Sequence, residues 1–148
     1  MLVDFHSHIF PDRIAQGALK SLSDSIVKYQ GERYPHYTDG TLNGILKSMD
    51  DNGVDISVIL PIATKPTQTE NIISFAKSIQ GERIASFASV HPEQEDWESV
   101  LESLAEDGFK GIKLHPEYQG FYADDERMRP IYRKISQLGL ITLFQAGV

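Results

Sequence analysis

The sequence predicts a parallel α/β fold of the (β/α)8 TIM-barrel type, present as about the first five βα units. Three observations predict it. Five short apolar runs rich in β-branched residues punctuate the chain. The segments between them have helical period. A helix stopped by glycine and followed at once by a strand recurs at Gly53, Gly81, Gly108 and Gly139. Repeated βα units of this kind imply a parallel sheet with right-handed crossovers.

Taken in order, residues 2–6 form the first expected strand and residues 12–28 the first helix, with Ile14, Ala18, Leu22 and Ile26 on one stripe. Residues 29–40 are polar and carry Tyr29, Tyr34, His36 and Tyr37, a connection or a substrate loop. Residues 41–52 give a second helix, with Leu42, Ile45, Leu46 and Met49 inward and Thr41 or Asp39 as its cap. The second strand covers 54–60 and the next helix 67–80, on Ile72, Ile73, Ala76 and Ile79. The third strand, 84–90, leads to a helix over 95–107 with Val100, Leu101 and Leu104. The fourth strand, 109–114, leads to a helix over 126–138 with Met128, Ile131, Ile135 and Leu138. The fifth strand is 140–144. The later strands are spaced by about 25–31 residues, as successive βα units would be. An open sheet and a barrel share these signals. A complete barrel needs about 250 residues, and a sheet ending on an uncovered strand is uncommon. We therefore expect residues 1–148 to be one domain, the N-terminal portion of a barrel.

Composition narrows the function. Net charge is −7, and no basic run or arginine-rich face offsets it, so nucleic acid and membrane surfaces are not expected partners. No apolar run approaches the ~18–20 residues of a membrane span. There is no cysteine, which excludes disulfides, thiolate metal sites and cysteine nucleophiles, and fits a cytoplasmic location. No glycine-rich fingerprint follows the first strand, where His8-Ile9-Phe10-Pro11 stands, so a doubly wound nucleotide-binding domain is disfavoured.

The chemistry gathers at strand ends. His6 and His8 lie two residues apart, on one face of an extended strand and roughly 6–7 Å from each other. Two imidazoles there can reach one cation, and imidazole suits zinc and similar divalent ions. Asp4 shares their parity and could orient a ligand or balance charge from one layer deeper. A polar strand face in water is the plain alternative. His91 and His115 close the third and fourth strands, each followed by a proline that bars further pairing. In parallel α/β folds these strand ends form the active-site face. His91 reads equally as a turn residue bonded to backbone. The phase of the fourth strand puts Gly111, Lys113 and His115 on one face. Lys113 could bind an anionic substrate or, carbamylated, bridge metals; it could also snorkel to solvent. Glu117, Tyr118 and Gln119 begin a loop over that face. Gln145 ends the fifth strand where the others carry histidine, and a neutral amide is a poor zinc ligand. His36 reads as a surface loop residue, and Asp124 and Asp125 as helix caps.

Asp4-Phe5-His6-Ser7-His8, Gly111-Ile112-Lys113-Leu114-His115-Pro116, Asp124-Asp125, Pro130-Ile131-Tyr132 and the terminal Ala146-Gly147 occur in the order seen in one known group. In these the chain resembles the amidohydrolase-related (amidohydrolase 2) family. These are metal-dependent hydrolases and decarboxylases similar to aminocarboxymuconate semialdehyde decarboxylase. The resemblance implies a (β/α)8 barrel with one divalent metal, usually zinc, at the C-terminal face and a small-molecule substrate. It implies His6 and His8 as metal ligands, a third ligand at the position of Gln145, and His115 near the substrate. A later histidine and aspartate of the family would lie beyond Val148. Substitution at Gln145 sets a catalytically incompetent homologue or interaction module beside the enzyme. An incomplete barrel exposes edge strands, so a homo-oligomer is also expected.

Overall fold

The computed structural model describes all residues except Tyr34 and 146–148, and not the side chains of Tyr29 and Gln30. The Ala146-Gly147 pair, and Tyr34 in the polar connection, therefore lie outside the described residues. The strands are β1 (Val3–Ser7), β2 (Ile56–Ile59), β3 (Ile84–Ser86), β4 (Gly111–Leu114) and β5 (Ile141–Phe144). The α-helices are α1 (Asp12–Gln30), α2 (Leu42–Asn52), α3 (Thr69–Ile79), α4 (Trp97–Glu106), α5 (Pro116–Gln119) and α6 (Arg129–Gln137). Short 3-10 turns precede α3 and α6. The strands order as β1-β2-β3 and β4-β5. The β1–β2 and β4–β5 pairs are parallel, so the crossovers are helical.

Two compact units divide the described chain: Met1–Ile59 with Gly81–Ala85, and Leu60–Gln80 with Ser86 onward. In the first unit, β1 pairs β2 through Val3–Ile56 and Asp4–Ser57, then slips to Ser7–Ile59. Three residues of β1 thus span two of β2, a bulge just before the second histidine. Helix α2 starts on Thr41, whose Oγ1 accepts from Gly44 N at 3.0 Å, while Asp39 Oδ1 accepts from Thr41 N at 2.9 Å. Both residues named as alternative caps are used, one steadying the other. Helix α1 extends to Gln30 and ends on left-handed Gly31. Its buried face is one residue round from the expected stripe: Ala15 and Ser23 are buried, whereas Ile14 and Leu22 stay exposed. Arg83 ties the start of β3 to the α2–β2 turn, donating to Val54 O at 2.9 Å and to Asp50 Oδ1 at 2.6 Å.

The second unit has one apolar core. Ile112 and Leu114 of β4 meet Leu101 and Leu104 of α4 and Ile131 and Ile135 of α6, all at most 2% exposed. At roughly 1.5–3 kcal/mol for each such side chain taken from water, this core dominates the unit's stability. Gly53, Gly108 and Gly139 stop their helices at positive φ, as their positions predict. Gly81 does not. There Gln80 ends α3, its amide donating to Ser86 O at 3.0 Å and accepting from Ser86 N at 2.9 Å. The expected third strand is correspondingly short: it ends at Ser86, and among the described residues beyond it Ala88 forms an isolated bridge to Ile112.

Candidate functional site

In the first unit, the end of β1 carries His6 and His8, both exposed. Their ring centres lie 5.0 Å apart at an interplanar angle of 62°. Two imidazoles bound to one tetrahedral zinc at ~2.1 Å per nitrogen have ring centres roughly 5 Å apart. The pair therefore fits two ligands of such an ion. Among the described residues, no three His, Cys, Asp or Glu side chains gather as a metal site. Asp4 is engaged locally: Oδ1 accepts from His6 N at 3.1 Å, and Oδ2 accepts from Ser7 Oγ. It holds the bulged backbone from which both histidines project. The other face is not buried either, since Val3 and Phe5 are 37% and 49% exposed.

The second unit places Lys113 within β4 and His115 and Gln145 directly after β4 and β5, whereas His91 lies five residues beyond the early end of β3 rather than closing it. Lys113 is 0% exposed, so it does not snorkel to solvent. Its Nζ donates to Gln145 Oε1 at 3.2 Å. Burial draws the Lys113 ammonium down to about 8. A neutral amide offers a dipole but no charge, so this partner does little to oppose the burial.

His115 is 4% exposed and caps α5, its Nδ1 accepting from Tyr118 N at 3.4 Å. Tyr118 stacks on the imidazole at 3.9 Å, with ring planes 6° apart. Burial, then the neighbouring Lys113 charge, lowers the His115 pKa against a smaller upward pull from Glu117. His91 is also 4% exposed, and its Nδ1 accepts from Glu93 N at 3.2 Å, the backbone-bonded arrangement its turn suggested. Burial lowers its pKa too, partly opposed by Glu93. In both neutral rings the proton sits on Nε2, leaving an N–H donor.

A residue that spacing did not single out organises these ends. Gln119 is 3% exposed. Its Oε1 accepts from His115 N at 2.9 Å, and its Nε2 donates to Ala63 O and to Val90 O, each at 2.9 Å. One amide thus ties the segments following β2, β3 and β4. Ser89 Oγ adds a fourth bond, accepting from Ala63 N at 3.1 Å. The sequence signal is slight: a glutamine four residues after a strand-end histidine, with Pro116 opening a single helical turn between them. His36 is exposed, and Asp125 caps the 3-10 turn before α6, its Oδ1 accepting from Arg127 N at 3.1 Å.

Parallel strands alternating with helices define an α/β protein of the TIM-barrel type. The amidohydrolase family model matches residues 3–148, and the chain belongs to that family. Among solved structures, it is similar to the apo form of Metarhizium anisopliae IDCase, with a TM-score of 0.73 and 16% identity. That likeness covers 97% of this chain and 50% of the other. A probable 2-pyrone-4,6-dicarboxylic acid hydrolase from Acinetobacter baumannii with citric acid bound is similar at a TM-score of 0.57 and 16% identity. It covers 98% of this chain and 49% of the other. No curated protein matches. The chain spans about half the length of these two structures, and its architecture is that of a partial barrel.

Proposed function

We propose that this chain carries the metal-binding and substrate-facing strand ends of a metal-dependent hydrolase of C–N or C–O bonds, or of a non-oxidative decarboxylase. The observation that carries the reading is the His6–His8 pair, at the ring separation two ligands of one ion require, in a chain of the amidohydrolase family. A bound divalent metal, most favourably zinc, supplies an activated water or polarises a substrate carbonyl or carboxylate. His6 and His8 hold that ion through ring nitrogens, and Asp4 fixes the backbone that presents them. Lys113 and the Nε2–H of His115 take the anionic part of a small-molecule substrate. Gln145 sets the Lys113 ammonium in place and stands as a weak or substituted ligand position. In this reading residues 1–148 work as one domain in the cytoplasm and self-associate through exposed edge strands.

Metal content of the purified protein tests the reading. Zinc should co-purify or bind on addition, raise Tm, and do neither in His6→Ala or His8→Ala. Metal no higher than in those variants, with no change in Tm, rejects it. The amide at Gln145 favours a second reading, a homologue that keeps the fold without the reaction. Hydrolysis of an aryl ester well above a His6→Ala control would exclude that second reading.

A further inference from the structure

The histidine pair of the first unit supplies half a coordination sphere. Zinc takes four ligands in its stable protein sites. His6 and His8 offer two, with ring centres 5.0 Å apart. Among the described residues no three His, Cys, Asp or Glu side chains gather to hold an ion, so no third ligand of that kind joins the pair. Asp4, the carboxylate nearest in sequence to His6, is engaged by His6 N and Ser7 Oγ. Two imidazoles alone leave the rest of the sphere to water and bind an ion weakly.

The position of the pair decides what can complete it. β1 is an edge strand of its sheet, paired with β2 on one side. Val3, Asp4, Phe5 and His6 are all exposed, and so is His8. A second chain can therefore reach both imidazoles. Leu2, Val3 and Phe5 stand exposed on the same segment. They favour a protein neighbour over water, since an apolar edge strand is seldom left open.

Symmetry selects that neighbour. Identical chains associate most often as two-fold dimers, in which one surface meets its own copy. A two-fold axis through a tetrahedral ion exchanges its four corners in two pairs. Two ligands from each chain are what such an axis requires; one or three would not fill the sphere. Charge agrees with this. Each chain carries −7, so two copies repel, and a divalent cation between them offsets part of the repulsion. Asp4 and the bulge in β1 already hold the backbone that presents the pair, so little order remains to be imposed when the copies meet.

We propose that two copies of this chain share one divalent ion through His6 and His8 of each. The sharing rests on the metal reading of that pair and adds its regulation. Four imidazoles leave no position for water, so the shared ion is a closed, resting form and the separated chain is the open one. The probe is cobalt(II) chloride, added to the full chain diluted until its metal-free form is monomeric in light scattering. Tetrahedral cobalt absorbs visible light far more strongly than the hydrated ion. Binding should saturate at one ion per two chains, with a strong visible band and a doubled mass. EDTA should reverse both, and zinc should displace the cobalt while the dimer persists. His6→Ala and His8→Ala should each abolish band and dimer. His36→Ala, which alters an exposed histidine outside the pair, should change neither. One ion per chain on a monomer would overturn the sharing and leave the metal reading standing. Retention of neither cobalt nor zinc would overturn both. A metal-dependent dimer that survives in His6→Ala would place the ion elsewhere and overturn the assignment.

Discussion

At the scale of single residues, the second unit keeps three titratable side chains in nearly dry places, and each leaves a signature in pH. Lys113 is the clearest. Its folded pKa, about 8, lies below the ordinary 10.5, so between these values the unfolded chain binds more protons than the folded one. Stability from this residue therefore rises as pH climbs from about 8 to 10.5, and the penalty is fully present below 8. We expect Lys113→Met to remove that rise, with Gln145 returned to water, in urea unfolding at pH 7.5 and 10. A wild-type curve parallel to that of the variant would show that the ammonium is solvated. His91 and His115 act the same way lower on the scale. Their pKa values are depressed by burial, so the folded protein resists protonation and stability is lost as pH falls below about 6.5. The double variant His91→Asn, His115→Asn offers side-chain acceptors in place of both Nδ1 atoms. It should unfold in urea with a flatter dependence between pH 7 and 5 than the wild type.

Elements show what the sequence could and could not disclose. Gln119 sits on a helix of four residues, yet three backbone groups depend on it: His115 N, Ala63 O and Val90 O. Gln119→Leu leaves all three unpaired, at about 1–3 kcal/mol for a buried polar group without a partner. A loss of about 3 kcal/mol or more in urea unfolding is the expected outcome, and a change under about 1 kcal/mol would mean water replaces the amide. Gly111 is fixed differently: a Cβ there would lie 2.3 Å from Phe87 Cε2. Gly111→Ala should cost about 1–3 kcal/mol as overpacking, and Phe87→Leu in the same chain should return part of it. Apart from the Gln119–His115 bond, these contacts are not local in sequence, which is why spacing did not reveal them. What spacing did reveal is periodic or short-ranged: the helices of the βα repeat, the glycine stops at Gly53, Gly108 and Gly139, and the Thr41 cap. The bulge in β1, the early end of β3 and the rotation of α1 onto Ala15 and Ser23 depend on tertiary partners that periodicity does not name. His115 at the end of β4 was legible because Pro116 and strand phase fix its place; the amide that ties that end to its neighbours was not.

For the whole molecule, the unsettled surface lies on an edge strand of each sheet. β1 pairs on one side with β2, and β5 with β4. Leu2 and Phe5 of the β1 segment are 54% and 49% exposed, and Ile141 and Phe144 of β5 are 51% and 37% exposed. Apolar side chains on a strand with unsatisfied backbone groups are a pairing surface, and folded proteins seldom leave them open. No charged residue interrupts β5, so electrostatics does not oppose association there. Along β1 only Asp4 is acidic, and it is occupied by Ser7 and the His6 amide. Association of the chain through these edges is the expected outcome, read as a concentration-dependent mass in light scattering after size exclusion. Lysine is a natural edge protector, so Phe5→Lys with Ile141→Lys should shift the protein toward monomer. The paired lysines should lower Tm at low concentration only modestly, because Phe5 and Ile141 are already 49% and 51% exposed. A wild-type mass that stays monomeric up to high concentration would show that these strands are protected as they stand. A mass unmoved by the lysines would place the contact elsewhere, with the exposed Ile14 and Leu22 of α1 the next surface to alter.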